Sequence, residues 1–250
     1  MIHNSITKAD DSIDKSKAKK ELKQLKNQLI EYQKKMNAQG KYSLLIIFQG
    51  MDASGKDGAT RRVLEGVNPS GIKVKSFKKP TDEEFAHDFL WRVHQHAPAK
   101  GMIQVFNRSH YEDILVPSVL GYIPNEVIEE RYKLINEFER LLEHNNTKVL
   151  KFFLNVSKEE QLERLQERVD NPEKHFKHKD GDWETREHWD SYMKVYQSIF
   201  EKCNDIPWHV IPSDQNWYKT NLITKKIIEA FESMDLQWPE LETEKFKTKL

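Results

Sequence analysis

The residues with the clearest chemistry occupy positions 50–58, Gly-Met-Asp-Ala-Ser-Gly-Lys-Asp-Gly. The spacing fits G-x-x-x-x-G-K, a loop whose backbone N–H groups turn inward around phosphate oxygens. Gly50, Ala53, Ser54, Gly55, Asp57 and Gly58 would form the cradle. Lys56 would add a full positive charge to the partial charge of a helix N-terminus. A chance glycine-rich turn is the bland alternative. It is disfavoured because an apolar run precedes the loop and a helix-forming run follows it. Two positions depart from the general pattern. A Ser or Thr hydroxyl normally follows the lysine as a Mg²⁺ ligand, and Asp57 stands there instead. Asp52 sits inside the loop itself. A carboxylate repels bare phosphate but holds hydrated Mg²⁺, so two acids in a phosphate cradle argue for a Mg²⁺-dependent site.

A second group follows in Asn107-Arg108-Ser109-His110-Tyr111-Glu112-Asp113. Arg108 falls just past a predicted strand, at the sheet edge where open parallel sheets bind ligands, and its fork suits phosphate oxygens. Glu112 and Asp113 are candidate metal ligands. The competing reading, acids placed in a first helical turn by the dipole, carries equal weight. The strand ends in Asn107 and not in the Asp that motor-type ATPases use, and no Asn-Lys-x-Asp motif marks a guanine-specific GTPase. Lysines 73, 75, 78 and 79 crowd one strand and its exit. Lys78 and Lys79 are expected at the edge near the loop; Lys73 and Lys75 have solvated surface as their ordinary reading. Arg164 and Arg168 lie four apart on one helix face, followed by a basic, Gly-broken stretch holding Lys174, Lys177 and Lys179. That composition suits a lid closing on anions, against the plainer reading of a charged surface loop.

These groups need a scaffold, and the hydrophobic pattern supplies one. Apolar runs at Ser43–Gln49, Ile72–Phe77, Met102–Phe106, Lys148–Val156 and Trp208–Ile211 predict five strands. Helical periodicity predicts helices over Lys19–Asn37, Lys56–Gly66, Asp82–His96, Glu126–His144, Lys158–Arg168, Thr185–Phe200 and Asn216–Phe231. Strands alternating with helices mean an α/β fold with a parallel sheet covered on both faces. Leu22, Leu25, Leu29, Tyr32 and Met36 form one face of the first helix. Packing on the parent domain is preferred to a dimeric coiled coil, because the seam lasts only about two heptads. Residues 1–18 and the tail after Trp238 are polar and expected to be loose.

Composition removes several classes. The 250 residues carry 40 basic and 40 acidic side chains, so no global field recruits nucleic acid. Mean hydropathy is −0.80, yet 12 Phe and 6 Trp supply the large groups a core needs. No apolar run approaches membrane-spanning length, so no membrane partner is expected. One cysteine, Cys203, allows no intrachain disulfide and fits a cytoplasmic setting. Ten histidines form no HExxH pattern, and His94 and His96, two apart, read as packing residues. No G-x-S-x-G marks an esterase nucleophile.

The loop at 50–58, together with Lys79-Pro80-Thr81, Asp88-Phe89-Leu90-Trp91-Arg92 and Phe106 through Asp113, resembles the polyphosphate kinase 2 family over roughly residues 20–238. Arg164, Arg168, Pro172, Lys174 and Lys177 match the family's lid spacing, and an Asp after the loop lysine is usual there. The resemblance implies a P-loop NTPase-like three-layer sandwich of the thymidylate-kinase kind: a five-stranded parallel sheet with a helical lid and an N-terminal helix. The implied organisation is a helical extension over 1–40, a kinase domain over 41–238 with its lid at about 164–188, and a tail over 239–250. It implies reversible, Mg²⁺-dependent transfer of the terminal phosphoryl group of inorganic polyphosphate to a nucleotide, by a homo-oligomer. Asp52, Lys56, Asn107, Arg108, Arg164 and Arg168 match active-site positions. The form Asn-Arg-Ser-His-Tyr-Glu-Asp is similar to the subgroup accepting both AMP and ADP.

Residue chemistry is consistent with this. A nucleotide phosphate is already anionic and needs no strong general base, only charge neutralisation and alignment. Asp52, with Asp57 or Glu112, would place Mg²⁺; Arg108, Arg164 and Arg168 would stabilise the transferring group; Lys75, Lys78 and Lys79 would line the polyanion's path. The rivals are an ATP-dependent nucleotide monophosphate kinase and a non-catalytic polyphosphate-binding protein, the second disfavoured by Lys56.

Overall fold

The computed structural model describes residues 6–241. Five strands, β1 (Ser43–Gln49), β2 (Ile72–Ser76), β3 (Ile103–Asn107), β4 (Thr147–Asn155) and β5 (Trp208–Pro212), form one parallel sheet in the order β2-β3-β1-β4-β5. β1 is central and buried along its whole length, which explains why its sequence is a continuous apolar run. Its neighbours are reached in opposite directions along the sheet, so a topological switch point lies at its C-terminal end, where position 50 begins the loop.

Side chains alternate across β1. Leu44, Ile46 and Phe48 join a core with α1 (Lys15–Gln39), α2 (Lys56–Val63) and α10 (Asn216–Glu232). Leu45 and Ile47 point to the other face, against Val93, Phe138 and Leu142. That face is covered by α4 (Trp91–His94), α5 (Glu112–Leu120), α6 (Asn125–His144) and α9 (Trp189–Lys202), while the short α3 (Asp82–Ala86) buries none of its residues. Between β4 and β5 also come α7 (Lys158–Asp170), a 3₁₀ turn at Pro172–Lys177, and α8 (Asp180–Glu187). The result is the expected three-layer α/β sandwich.

The first helix is part of that sandwich. Leu29 and Met36 are fully buried, and Tyr32 stacks on Phe231 of α10 with ring centroids 5.6 Å apart. Asp14 caps the helix start by accepting N–H donations from Ser16 and Lys17. The segment before it is not loose as expected. Ala9 is buried and donates to Gln215 at 3.2 Å, and Thr7 accepts from the Asp214 N–H at 2.9 Å. The remaining expectations for loose termini, at 1–5 and 242–250, lie outside the described residues.

Two predicted helices are broken. The span 82–96 is two short helices, because the Asp88 carboxylate accepts from the Leu90 and Trp91 N–H groups and starts a new turn. Val93 enters the core while Phe85 is exposed, so the single apolar face expected for Phe85, Phe89 and Val93 does not form. The span 185–200 likewise divides at His188, with α8 beginning earlier, at Asp180. His94 and His96 pack edge-on against Phe138 and Phe77, as their spacing suggested. No described helix is long and apolar enough to cross a membrane.

Candidate active site

The loop leaves β1 at Gly50 with φ +144°, and a Cβ there would stand 2.8 Å from the Leu154 carbonyl, so only glycine fits. The Gly50 N–H donates to the Tyr196 hydroxyl at 3.1 Å. Ala53 and Arg108 both hold positive φ, 59° and 61°, a left-handed conformation costing a side-chain-bearing residue about 1 kcal/mol. Arg108 is kept there by its N–H, which donates to the Phe48 carbonyl at 3.0 Å. Two strained residues at the ends of adjacent strands mark where the fold spends conformational energy to aim side chains.

Lys56 begins α2, and its Nζ donates to the Gly50 and Met51 carbonyls at 2.7 and 3.1 Å. Burial lowers its pKa, a push that Asp52 opposes. Asp52 pairs with the Arg108 guanidinium. Burial works against the Asp52 charge, but Lys56 and Arg108 outweigh it and hold the carboxyl below the usual range. Arg108 is held above its ordinary value, chiefly by Glu112 and also by Asp52. Glu112 accepts from Gln49 Nε2 at 3.2 Å.

A cleft joins these groups to the segment after α7. Gly50, Asp52, Arg108 and Glu112 line one side; Lys179, Asp182 and Thr185 line the other, with Leu115, Val116, Tyr192 and Tyr196 completing the wall. Arg168 reaches Asp182 at 2.5 Å and the Lys177 carbonyl at 3.2 Å, tying α7 to α8. Gln161 donates to the Asp52 carbonyl at 2.9 Å and accepts from Arg186 at 2.7 Å, linking the loop to α8.

The expected residues divide into two sets. Asp52, Lys56, Arg108 and Glu112 come together. Asn107 donates to Asp57 at the mouth of the loop. Arg164 approaches from behind, its guanidinium donating to the carbonyls of Ala53, Ser213 and Asp214 at 2.8–3.0 Å. Asp113 departs from the expected metal set: it pairs with buried Arg92 at 2.8 Å, and burial raises its pKa. Lys174 pairs with Glu167, and Lys177 lies over the exposed Phe176 ring, so Lys179 is the segment's lysine at the cleft. Lys75 lies over Phe77, and Lys78 and Lys79 are exposed beyond β2, two strands from β1 and so about 10 Å along the sheet. Residues missed from sequence include Gln161, Asp182, Tyr192, Tyr196 and Lys219. Lys219 carried a signal: it falls in register with Ile223 and Ile227 on the buried face of α10.

Among the described residues no cluster of three or more acidic, His or Cys side chains could hold a metal unaided. Two cleft carboxylates, Asp52 and Glu112, fit a hard divalent cation that keeps its waters and takes its other ligands from phosphate.

Comparison with known proteins agrees with this geometry. Residues 12–239 match the family described as Polyphosphate kinase 2. The chain is 47% identical over 221 residues to an AMP/ADP-polyphosphate phosphotransferase of Meiothermus ruber, covering 88% of this chain and 83% of that one. It is 39% identical over 226 residues to an ADP-polyphosphate phosphotransferase of Rhodopseudomonas palustris, covering 85% and 78% respectively. The crystal structure of polyphosphate kinase 2 from Arthrobacter aurescens superposes with a TM-score of 0.90 at 39% identity, covering 96% of this chain and 89% of that one. From the acid-bearing phosphate loop, the sheet order and these matches together, the chain belongs to the polyphosphate kinase 2 family.

Proposed function

We propose that this chain is an enzyme transferring the terminal phosphoryl group of inorganic polyphosphate to AMP and ADP, reversibly and with Mg²⁺. The observation that carries the proposal is the meeting of Asp52, inside the phosphate loop, with Arg108 and Glu112 in one cleft. The names of the Meiothermus and Rhodopseudomonas relatives support the donor and the acceptors.

The acceptor's terminal phosphate oxygen attacks the terminal phosphorus of polyphosphate. A P–O bond forms, the bond to the bridging oxygen breaks, and the shortened chain leaves with the electron pair. No proton must move. Lys56 and the loop N–H groups grip phosphate oxygens, and Arg108 neutralises charge on the transferring group. Asp52 and Glu112 would hold a Mg²⁺ ion, which would supply positive charge between the two polyanions. Asp57 and Asn107 support the mouth of the loop. Arg168, through Asp182, sets the position of a lid over about 164–188, whose Lys179 faces the cleft. Arg164 acts on the loop backbone it already holds. Lys75, Lys78 and Lys79, with Lys174 and Lys177, offer outlying charge to a long chain. The nucleotide substrates support a cytoplasmic setting, and a homo-oligomer is part of the same proposal.

The test is luminescent detection of ATP from ADP plus polyphosphate, with ADP formation from AMP followed in parallel. ATP should appear with polyphosphate as the only phosphoryl donor. Silence there, with phosphorylation of AMP by ATP, would replace this reading with an ATP-dependent nucleotide kinase.

A further inference from the structure

Behind the phosphate loop lies a lysine that no loop motif encodes. Lys219, 165 residues downstream of Ser54, sits in the first turn of α10 with no solvent exposure. Its Nζ donates to the Ser54 carbonyl at 2.9 Å. Arg164 does the same for the Ala53 carbonyl at 3.0 Å, so two consecutive loop carbonyls are each tied to a cation from another element. The approach is close: a Cβ on Gly55, which has φ +94°, would collide with Lys219 Nζ.

In a planar trans peptide the C=O and N–H lie in the same plane and point in opposite directions. Holding the Ser54 oxygen from behind therefore turns the Gly55 N–H the other way, toward the space the loop encloses. We propose that Lys219 is a positioning residue of the phosphate cradle, aiming the Gly55 N–H at a bound phosphate and adding positive charge behind it. The proposal deepens the function proposed above and rests on it for the identity of the anion.

The charges around Lys219 sharpen the prediction. It faces Arg164 and Glu160 from α7, Arg62 from α2 and Lys56 from the loop, three cations against one acid. Burial and then these cations lower its pKa to about 7. Below that pH the ammonium is present in the free protein; as pH rises through it, charge and strong donor are lost together. Anion affinity should therefore fall on the alkaline side.

Sulfate is a suitable probe, since it is a tetrahedral dianion that does not titrate near neutrality. Its Kd for the unaltered protein should rise at least about threefold between about pH 6 and about pH 8.5. Lys219→Met should bind sulfate roughly tenfold more weakly at the lower pH and lose the pH dependence. Lys219→Arg, charged throughout, should remove the alkaline weakening. In the polyphosphate assay at the lower pH, Lys219→Met should raise KM and leave kcat within about twofold. A Lys219→Met protein with the wild-type sulfate Kd at both pH values overturns the proposal. Should that variant not fold, a flat sulfate profile in the unaltered protein overturns it equally. Sulfate binding does not depend on the donor being polyphosphate, so the luminescence assay can fail while Lys219 still passes.

Discussion

One short segment, Asn107–Asp113, feeds two clusters of charge that behave differently. Arg108 and Glu112 face the cleft, where the Arg108–Asp52 pair has side chains 35% and 14% exposed. His110 and Tyr111 point into the core, to Glu139 and Lys151, which are 1% and 0% exposed. Lys151 Nζ donates to Glu139 at 2.7 Å, to the Tyr111 hydroxyl at 2.9 Å and to the Cys203 carbonyl at 3.0 Å. Tyr111 donates to the same carboxylate at 2.8 Å. Burial opposes the Glu139 charge, and Lys151 and His110 overcome it, holding the carboxyl below its usual range. The lesson is one of replaceability. A half-open pair can exchange its partner for a phosphate oxygen; a sealed pair cannot, and serves only to fix the backbone that carries Arg108. His110 and Tyr111, part of the motif that resembles the AMP- and ADP-accepting subgroup, have no face on the cleft. Any influence they exert on the acceptor passes through this buried network.

Breaking the two clusters in turn should separate stability from activity. Lys151→Met takes the ammonium away from the buried Glu139 carboxylate and should cost about 3–5 kcal/mol, read as a lowered urea midpoint; adding Glu139→Leu should restore only part of it, because His110 and the Tyr111 hydroxyl then lose their partner. A single variant with an unmoved midpoint would erase the distinction. Asp52→Ala should do the reverse, lowering turnover about 10²–10³-fold while the midpoint shifts by no more than about 1 kcal/mol. Near-normal turnover would remove Asp52 from the chemistry. The smallest effect belongs to the outlying charges. Replacing Lys78 and Lys79 together by Ala should raise KM for long polyphosphate about two- to threefold, vanish in high salt, and leave short chains unaffected.

Much of the scaffold was readable because parallel strands are buried on both faces and so print as apolar runs. The five predicted strands match β1–β5 to within a residue or so at each end. The loop at 50–58 was readable because local backbone demands, glycine at Gly50 above all, are written in adjacent residues. What stayed hidden was tertiary. Asp88 starts a second helix through its side chain, where periodicity sees only Phe85 and Phe89. Asp113 is taken by Arg92, 21 positions earlier, and Arg164 is taken by three carbonyls, two of them about 50 positions away. Lys219 was visible as a misplaced charge on an apolar helix face, but not as a neighbour of Ser54.

Cys203 lies under the same buried network, wholly enclosed, and burial pushes its thiol up to about 12. Sulfur chemistry runs through the thiolate, which is scarce there at neutral pH. As the sole cysteine, it leaves the folded chain without a reactive thiol. Covalent cross-linking between copies through S–S bonds is closed to this fold, and peroxide or disulfide stress has no thiol handle by which to switch the enzyme off.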